Sequence, residues 1–177
     1  QGQKFLVGDL LKALLVFSAG DAGCTLSIGK SSYADFVGLM NTVAQEANMQ
    51  HTKFTNPIGL DDVDGQNLSS AADLARLGVA AEQNPFIREV TRLKDFGLTD
   101  LESTYARQLA NTNKLLLEIP ETVGIKTGTT TGAGEVLIYE YQKDQVDLII
   151  VVMGSADRFA DTKAILAWTL ESYVWAN

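Results

Sequence analysis

A single cysteine, Cys24, stands among the 177 residues, so no disulfide can form within the chain. A disulfide-stapled scaffold is thereby excluded, although the compartment stays open. Cys24 has no base beside it in sequence and reads as a small buried hydrophobe. Histidine is equally scarce: His51 is the only one, between Gln50 and Thr52 in a polar stretch. A Ser-His-Asp hydrolase needs its histidine against the nucleophile, so His51 is read as a surface residue. There is no H-E-x-x-H motif and no Cys/His cluster, and no metal is expected. A Walker loop and a dinucleotide fingerprint are also missing, and no cofactor is expected. Positive charge is in the minority, with 14 Lys and Arg against 22 Asp and Glu and a net charge of -8. Phosphate backbones attract basic surfaces, which makes nucleic acid a poor partner. No apolar run reaches the roughly 18 residues of a spanning helix. The longest runs, 10–17 and 146–153, have the length of core elements. No signal peptide is visible, and the chain opens on Gln1 rather than Met, which reads as a processed chain or a piece of a longer reading frame.

What is present fits one globular domain, with 46% hydrophobic and 20% charged residues. The first half has helical spacing. Leu6, Leu10, Leu14 and Leu15 predict a helix that breaks at Phe17-Ser18-Ala19-Gly20. A second helix is expected from about Asp21 to Gly29. Ser32 with Asp35, and Ser70 with Asp73, have the spacing of capping boxes, in which hydroxyl and carboxylate each take an orphan N–H. The face Phe36, Val37, Met40, Val43, Ala44 and Ala47 follows the first box. Between 48 and 68 the pattern is lost. Asn56-Pro57 and Gly59 mark turns, and Asp61, Asp62 and Asp64 read as solvated rather than as a calcium loop, since the glutamate of an EF-hand is missing. Asn84-Pro85 ends one helix and opens another.

The second half changes period. Strands are expected over 124–128 and 135–142, a hairpin turn at 143–145, and a strand covered on both faces over 146–153. A last helix over 157–175 is expected to lay Phe159, Ile165, Leu166, Trp168, Thr169 and Tyr173 on the sheet. Helices first, then a hairpin, then a helix predict an α+β fold with an antiparallel sheet. The division is a mainly helical part, 1–110, and a part holding the strand, hairpin and closing helix, 111–177.

Lys126-Thr127-Gly128 is the sharpest local motif. The ammonium supplies positive charge, the hydroxyl can bond a carboxylate, and the glycine lets a ligand backbone lie against a strand. K-T-G occurs together with S-x-x-K and an S-D-N-type triad in β-lactamases and penicillin-binding proteins. Ser18-Ala19-Gly20-Asp21-Ala22 stands upstream, at a helix junction, where such a triad belongs.

The residues 7–11 and 18–22, Phe36-Val37-Gly38-Leu39-Met40-Asn41, the loop from Thr52 to Asp61 with its N-P-x-G-L-D pattern, Asn111-Thr112-Asn113-Lys114-Leu115-Leu116, the strand 124–128, Ala133-Gly134 and the stretch 151–163 follow one another in order. Together they resemble the low-molecular-mass penicillin-binding proteins, the serine-type D-alanyl-D-alanine carboxypeptidases. The resemblance implies a β-lactamase/transpeptidase-like α+β fold, with an antiparallel sheet flanked by helices. It implies a serine acyl-enzyme that removes the terminal D-alanine from peptidoglycan stem peptides and binds β-lactam antibiotics, working outside the cytoplasm; a membrane anchor on the full-length protein is compatible with it. It assigns Ser18 and Lys126 to catalysis and Thr127, Gly128, Thr129 and Arg158 to substrate binding, with the Thr129 N–H as an oxyanion donor. Arg158 otherwise reads as a surface partner of Asp157 or Asp161.

Two departures from the family pattern stand out. The family's S-x-x-K serine lies upstream of the triad, and the residues before Ser18 contain no serine. Ser27-Ile28-Gly29-Lys30 lies on the wrong side of the triad and reads as a helix end. The nucleophile helix and the N-terminal strands are therefore expected to be missing, and this chain alone is expected to be inactive. Gly20 also stands where the family has the triad asparagine, so the alternative is a non-catalytic relative that binds D-Ala-terminated peptides or a partner protein.

Overall fold

The computed structural model describes residues 2–30, 32–61 and 65–175. Five helices come first: α1 (Val7–Phe17), α2 (Gly20–Lys30), α3 (Tyr33–Glu46), α4 (Ala71–Glu82) and α5 (Pro85–Thr91). A hairpin of β1 (Asp95–Thr99) and β2 (Ala106–Ala110) follows, then the short α6 (Leu115–Glu118). The chain closes with β3 (Thr122–Thr130), β4 (Gly134–Lys143), β5 (Val146–Ser155) and α7 (Arg158–Ser172). The fold is α+β, with an antiparallel sheet in the order β3-β4-β5. Asp62 and Asp64 of the acidic loop lie outside the described residues.

Side-chain caps set several of the helix starts. The Ser32 hydroxyl accepts the Asp35 N–H (3.1 Å) and donates to the Asp35 carboxylate (2.6 Å). Asn84 accepts from the N–H groups of Phe86 and Ile87, with Pro85 in the first turn, where a missing N–H costs nothing. The second capping box is only half of one. Ser70 accepts the Asp73 N–H (3.2 Å), but the fully buried Asp73 carboxylate turns to the preceding loop. There it accepts the His51 N–H (2.7 Å) and the Thr52 hydroxyl (3.0 Å), and it pairs with Arg76 (2.7 Å). Burial alone would push this carboxyl up. The His51 N–H, the Thr52 hydroxyl and Arg76 outweigh burial and hold it below the usual range. The His51 side chain is exposed while its backbone carries this anchor. Cys24 is half-buried rather than fully buried.

Two apolar clusters hold the layers together. Leu115, Leu137, Tyr139, Ile150, Val152 and Leu166 fill the space between the sheet and α7. Ala13, Ala22, Leu98 and Leu109 do the same between the α1–α2 pair and the β1–β2 hairpin. On the sheet's other face α4 comes close because it carries Gly78. A Cβ there would meet Ile138 at 3.0 Å, Ile149 at 3.3 Å and Ile125 at 3.4 Å. Gly78→Val is therefore expected to push α4 off the sheet and destabilise the fold by about 1–3 kcal/mol, read as a lower urea midpoint; an unchanged midpoint would show that α4 does not rest on those isoleucines.

The hairpin 95–110 was not anticipated. Its strands contain a single β-branched residue, Thr99, and each buries one residue, Leu98 or Leu109, so the alternating pattern is almost absent. β5 has α4 on one face and α7 on the other, as expected, but only Ile150 and Val152 on it are buried. It is an edge strand among the described residues, and its flank is open. The closing helix also departs from expectation. Leu166 and Phe159 pack on the core, whereas Ile165 and Trp168 face outward, and Trp168 meets Tyr173 edge to face at 5.7 Å.

Candidate functional site

The break predicted after α1 produces an unusual backbone. Ser18 caps α1 in the left-handed region, with φ 61°, a conformation that non-glycine residues adopt rarely and that is enriched at functional sites. This bend aims the Ser18 hydroxyl across a groove at β3, where the Lys126 ammonium donates to it. Residues 108 positions apart in sequence thus meet through one hydrogen bond. Lys126 also donates to the Thr127 carbonyl (2.8 Å).

Thr127 is buried, and its hydroxyl bonds that of Thr112 at 2.6 Å. Thr112 is itself held, because its N–H donates to Val16 O (3.1 Å) at the end of α1. Its neighbours are anchored too. Asn111 donates to the carbonyls of Thr91 and Leu93, and Asn113 donates to Gly124 O. The segment 111–113 therefore ties α1, α5 and β3 into one frame around the groove. Gly128 and Thr129 are exposed at the far end of β3. A Cβ on Gly128 would meet nothing closer than Val136 at 3.9 Å, so packing within the chain does not require glycine there.

Arg158 opens α7, beside the end of β3. Its guanidinium donates to the carbonyls of Gly128 and Val136, and its Nε lies 3.4 Å from the Glu135 carboxylate, which also accepts the Arg158 N–H (3.0 Å). Neither aspartate read as its surface partner plays that part. Asp157 caps α7, and Asp161 accepts from the Ser155 hydroxyl. Arg158 is thus a cation built into the wall. Next to it a groove of about 560 Å³ is lined by Asn111, Thr112, Lys114, Glu135, Ala156, Asp157, Arg158 and Phe159. Burial and then the Arg158 charge push the Lys126 ammonium down to about 8. Three cations, Lys114, Lys126 and Arg158, stand at the site against two carboxylates, Glu135 and Asp157, and that excess favours an anionic guest.

The same end of β3 is clamped by a loop that composition alone marks only as polar. Asp61 accepts from the Thr130 hydroxyl (3.0 Å) and the Gly132 N–H (2.8 Å). Its loop is organised by Asn56, which is fully buried. Asp61, Asn56 and Thr112 were not singled out for roles by sequence reasoning, although each lies inside a segment that carries the family resemblance. Ser27 of the stray S-x-x-K is fully buried, with its hydroxyl on the Cys24 carbonyl (2.8 Å). It faces the interior of its own helix turn. At Gly20 a Cβ would meet nothing within 4 Å, so packing against the backbone does not require glycine there.

The sequence matches a family model described as D-alanyl-D-alanine carboxypeptidase over residues 1–157. It is 33% identical over 182 residues to the D-alanyl-D-alanine carboxypeptidase DacA of Escherichia coli, covering 99% of this chain and 43% of that protein. It is 30% identical over 165 residues to the D-alanyl-D-alanine endopeptidase of the same species, covering 90% of this chain and 52% of that protein. The chain thus spans about half, or less, of the length of these curated relatives. Among solved structures it superposes on a mutant of the Streptomyces K15 DD-transpeptidase with a TM-score of 0.89 at 26% identity, covering 96% of this chain and 70% of that one. It also superposes on a putative penicillin-binding protein homolog from Mycobacterium tuberculosis with a TM-score of 0.88 at 25% identity, covering 98% and 67%. Sequence and fold agree, and the chain belongs to the D-alanyl-D-alanine carboxypeptidase family of serine peptidases.

Proposed function

We propose that this chain forms the carboxylate-gripping wall of a D-alanyl-D-alanine carboxypeptidase site, for peptidoglycan stem peptides ending in D-Ala-D-Ala and for the β-lactams that mimic them. One observation carries the reading: the hydrogen bond that joins the Lys126 ammonium on β3 to the Ser18 hydroxyl at the end of α1. In this reading the peptide lies along β3, the terminal carboxylate meets the Thr127 hydroxyl, and Lys126 and Arg158 make the groove positive. Gly128 leaves the ligand backbone room to approach. The catalytic serine of the family attacks the penultimate carbonyl with the Thr129 N–H stabilising the oxyanion, the amide bond to the terminal D-alanine breaks, and water then hydrolyses the acyl-enzyme. Ser18, linked to Lys126, passes a proton to the departing D-alanine amine. The reaction belongs outside the cytoplasm, where the peptidoglycan is; no helix among the described residues is long and apolar enough to cross a membrane.

A second reading rests on Gly20. With no amide at that position, the groove grips a D-Ala-terminated peptide without turning it over. Calorimetry with a peptide ending in D-Ala-D-Ala, against its L-Ala counterpart, tests the shared premise, and D-alanine release tests turnover. The expected result for this chain is binding that prefers the D peptide, no D-alanine release and no covalent β-lactam adduct by mass spectrometry. Equal binding of the two peptides would end both readings. An adduct would show that a nucleophile acts within these residues.

A further inference from the structure

The far side of the sheet carries a second polar cluster that the ligand groove does not use. Glu140 on β4 points away from that groove and is 2% exposed, and its Oε2 has no hydrogen-bond donor. Glu82, at the last turn of α4, has a side chain only 8% exposed, and neither of its carboxylate oxygens receives a hydrogen bond. Gly78 of α4 packs on Ile138 of β4; Glu82 lies one helical turn beyond Gly78, and Glu140 two residues beyond Ile138 on the same face, which makes the two carboxylates neighbours. Two buried carboxylates without donors repel, whereas one proton between them turns two acceptors into a donor and an acceptor.

The neighbours supply one compensating cation and no competing donor. From α5, Arg88 stands 3.7 Å from Glu82 and spends another N–H on Gln142 (3.0 Å). Arg92, at the end of α5, reaches the same Gln142 oxygen (3.4 Å). From β5, Asp147 is exposed and accepts from the Gln142 amide (3.3 Å). The strand partners of Glu140, Gly124 on β3 and Ile149 on β5, carry no charge. Lys143, further along β4, is taken by Glu121 (3.2 Å). Two carboxylates with one shared proton and Arg88 carry no net charge, and the neighbouring Asp147 adds a negative charge that favours keeping the proton.

We propose that Glu82 and Glu140 share one proton, and that this proton latches the C-terminal end of α4 to the back of the sheet as a pH-sensitive lock. A metal ion would be the rival occupant, but among the described residues no three His, Cys, Asp or Glu side chains converge as a cation requires. The lock bears on the ligand strand through packing: Gly78 of α4 rests on Ile125, the residue before Lys126. Burial, then Glu82 and Asp147, push the Glu140 carboxyl up to about 8 from an ordinary value of 4.5. The folded state therefore holds a proton that the unfolded chain releases. The stabilisation is complete below about pH 4.5 and is lost as pH rises to about 8.

Carbon-13 NMR titration of the glutamate carboxyls, with urea unfolding across the same pH range, tests this on the whole chain. One glutamate resonance is expected to titrate near pH 8, and the folding constant to fall by up to about tenfold per pH unit between those limits. Glu140→Gln places a permanent donor where the proton sits. It is expected to remove that slope and to make the protein more stable than the unmodified chain above pH 8, and Glu82→Gln should do the same from the other side. Protection of the α4 amides, after correction for the base-catalysed intrinsic exchange rate, should fall at alkaline pH only in the unmodified protein. The lock is overturned if every glutamate titrates in the ordinary range, or if Glu140→Gln keeps the wild-type slope. A rise in alkaline stability on adding calcium chloride that Glu140→Gln abolishes would also overturn it, in favour of a cation. If Glu140→Gln fails to fold, the titration of the unmodified protein still decides.

Discussion

The Lys126→Ala protein is expected to bind a D-Ala-D-Ala peptide about a hundredfold more weakly than the unmodified chain. Truncating one member of a desolvated charge pair costs about 2–5 kcal/mol, and each 1.4 kcal/mol is about tenfold in affinity. Stability should move the other way or not at all, because Lys126 is a partly desolvated cation facing the like charge of Arg158. Unfolding midpoints thus separate a lost ligand contact from a lost fold. The unmodified chain adds a pH signature. A carboxylate is attracted by the ammonium but not by the neutral amine, so its affinity should decline as pH rises through about 8. Lys126→Ala has no such inflexion, and Lys126→Arg keeps its charge throughout. Peptide titrations at three pH values check this. A Lys126→Ala protein that binds as well as the parent would remove the basis of the proposed function.

Asn56→Ala is expected to lower stability by about 2–4 kcal/mol. Asn56 is fully buried, and its amide serves both sides of a loop. Its nitrogen donates to Leu60 O (3.0 Å) and Gly65 O (3.4 Å), and its oxygen accepts the N–H groups of Ile58 (3.2 Å) and Gly59 (2.7 Å). Alanine leaves those backbone groups without this partner, and each buried unsatisfied group costs about 1–3 kcal/mol, partly recovered where water enters. The damage should reach the ligand groove, because the same loop carries Asp61, which holds Thr130 and Gly132 at the end of β3. Urea unfolding should show a lower midpoint with an unchanged slope, and peptide affinity should fall with Lys126 intact. A midpoint within about 1 kcal/mol of the parent would mean that the loop is held by other contacts.

Much of the fold was legible because its elements announce themselves locally. Ser32 and Ser70 mark helix starts, Asn84-Pro85 marks another, and the β-branched runs of β4 and β5 flank a turn in which Asp144 takes φ 53°. The β1–β2 hairpin was illegible for the opposite reason. It is mostly exposed and buries one leucine per strand, so no period is written into it. The exposure of Ile165 and Trp168 was hidden too, since an apolar residue on a helix does not say which face will find a partner.

The sequence by itself determined the helix boundaries set by capping, the period of the main sheet and the K-T-G strand, because these depend on neighbours a few positions apart. It also determined the family, through motifs in a fixed order. Only the tertiary structure decided that Thr127 leans on Thr112, that Arg158 belongs to the carbonyls of Gly128 and Val136 rather than to Asp157 or Asp161, and that Glu82 meets Glu140. Such contacts join residues far apart in the chain, and their energies depend on burial, which no local pattern of residues specifies.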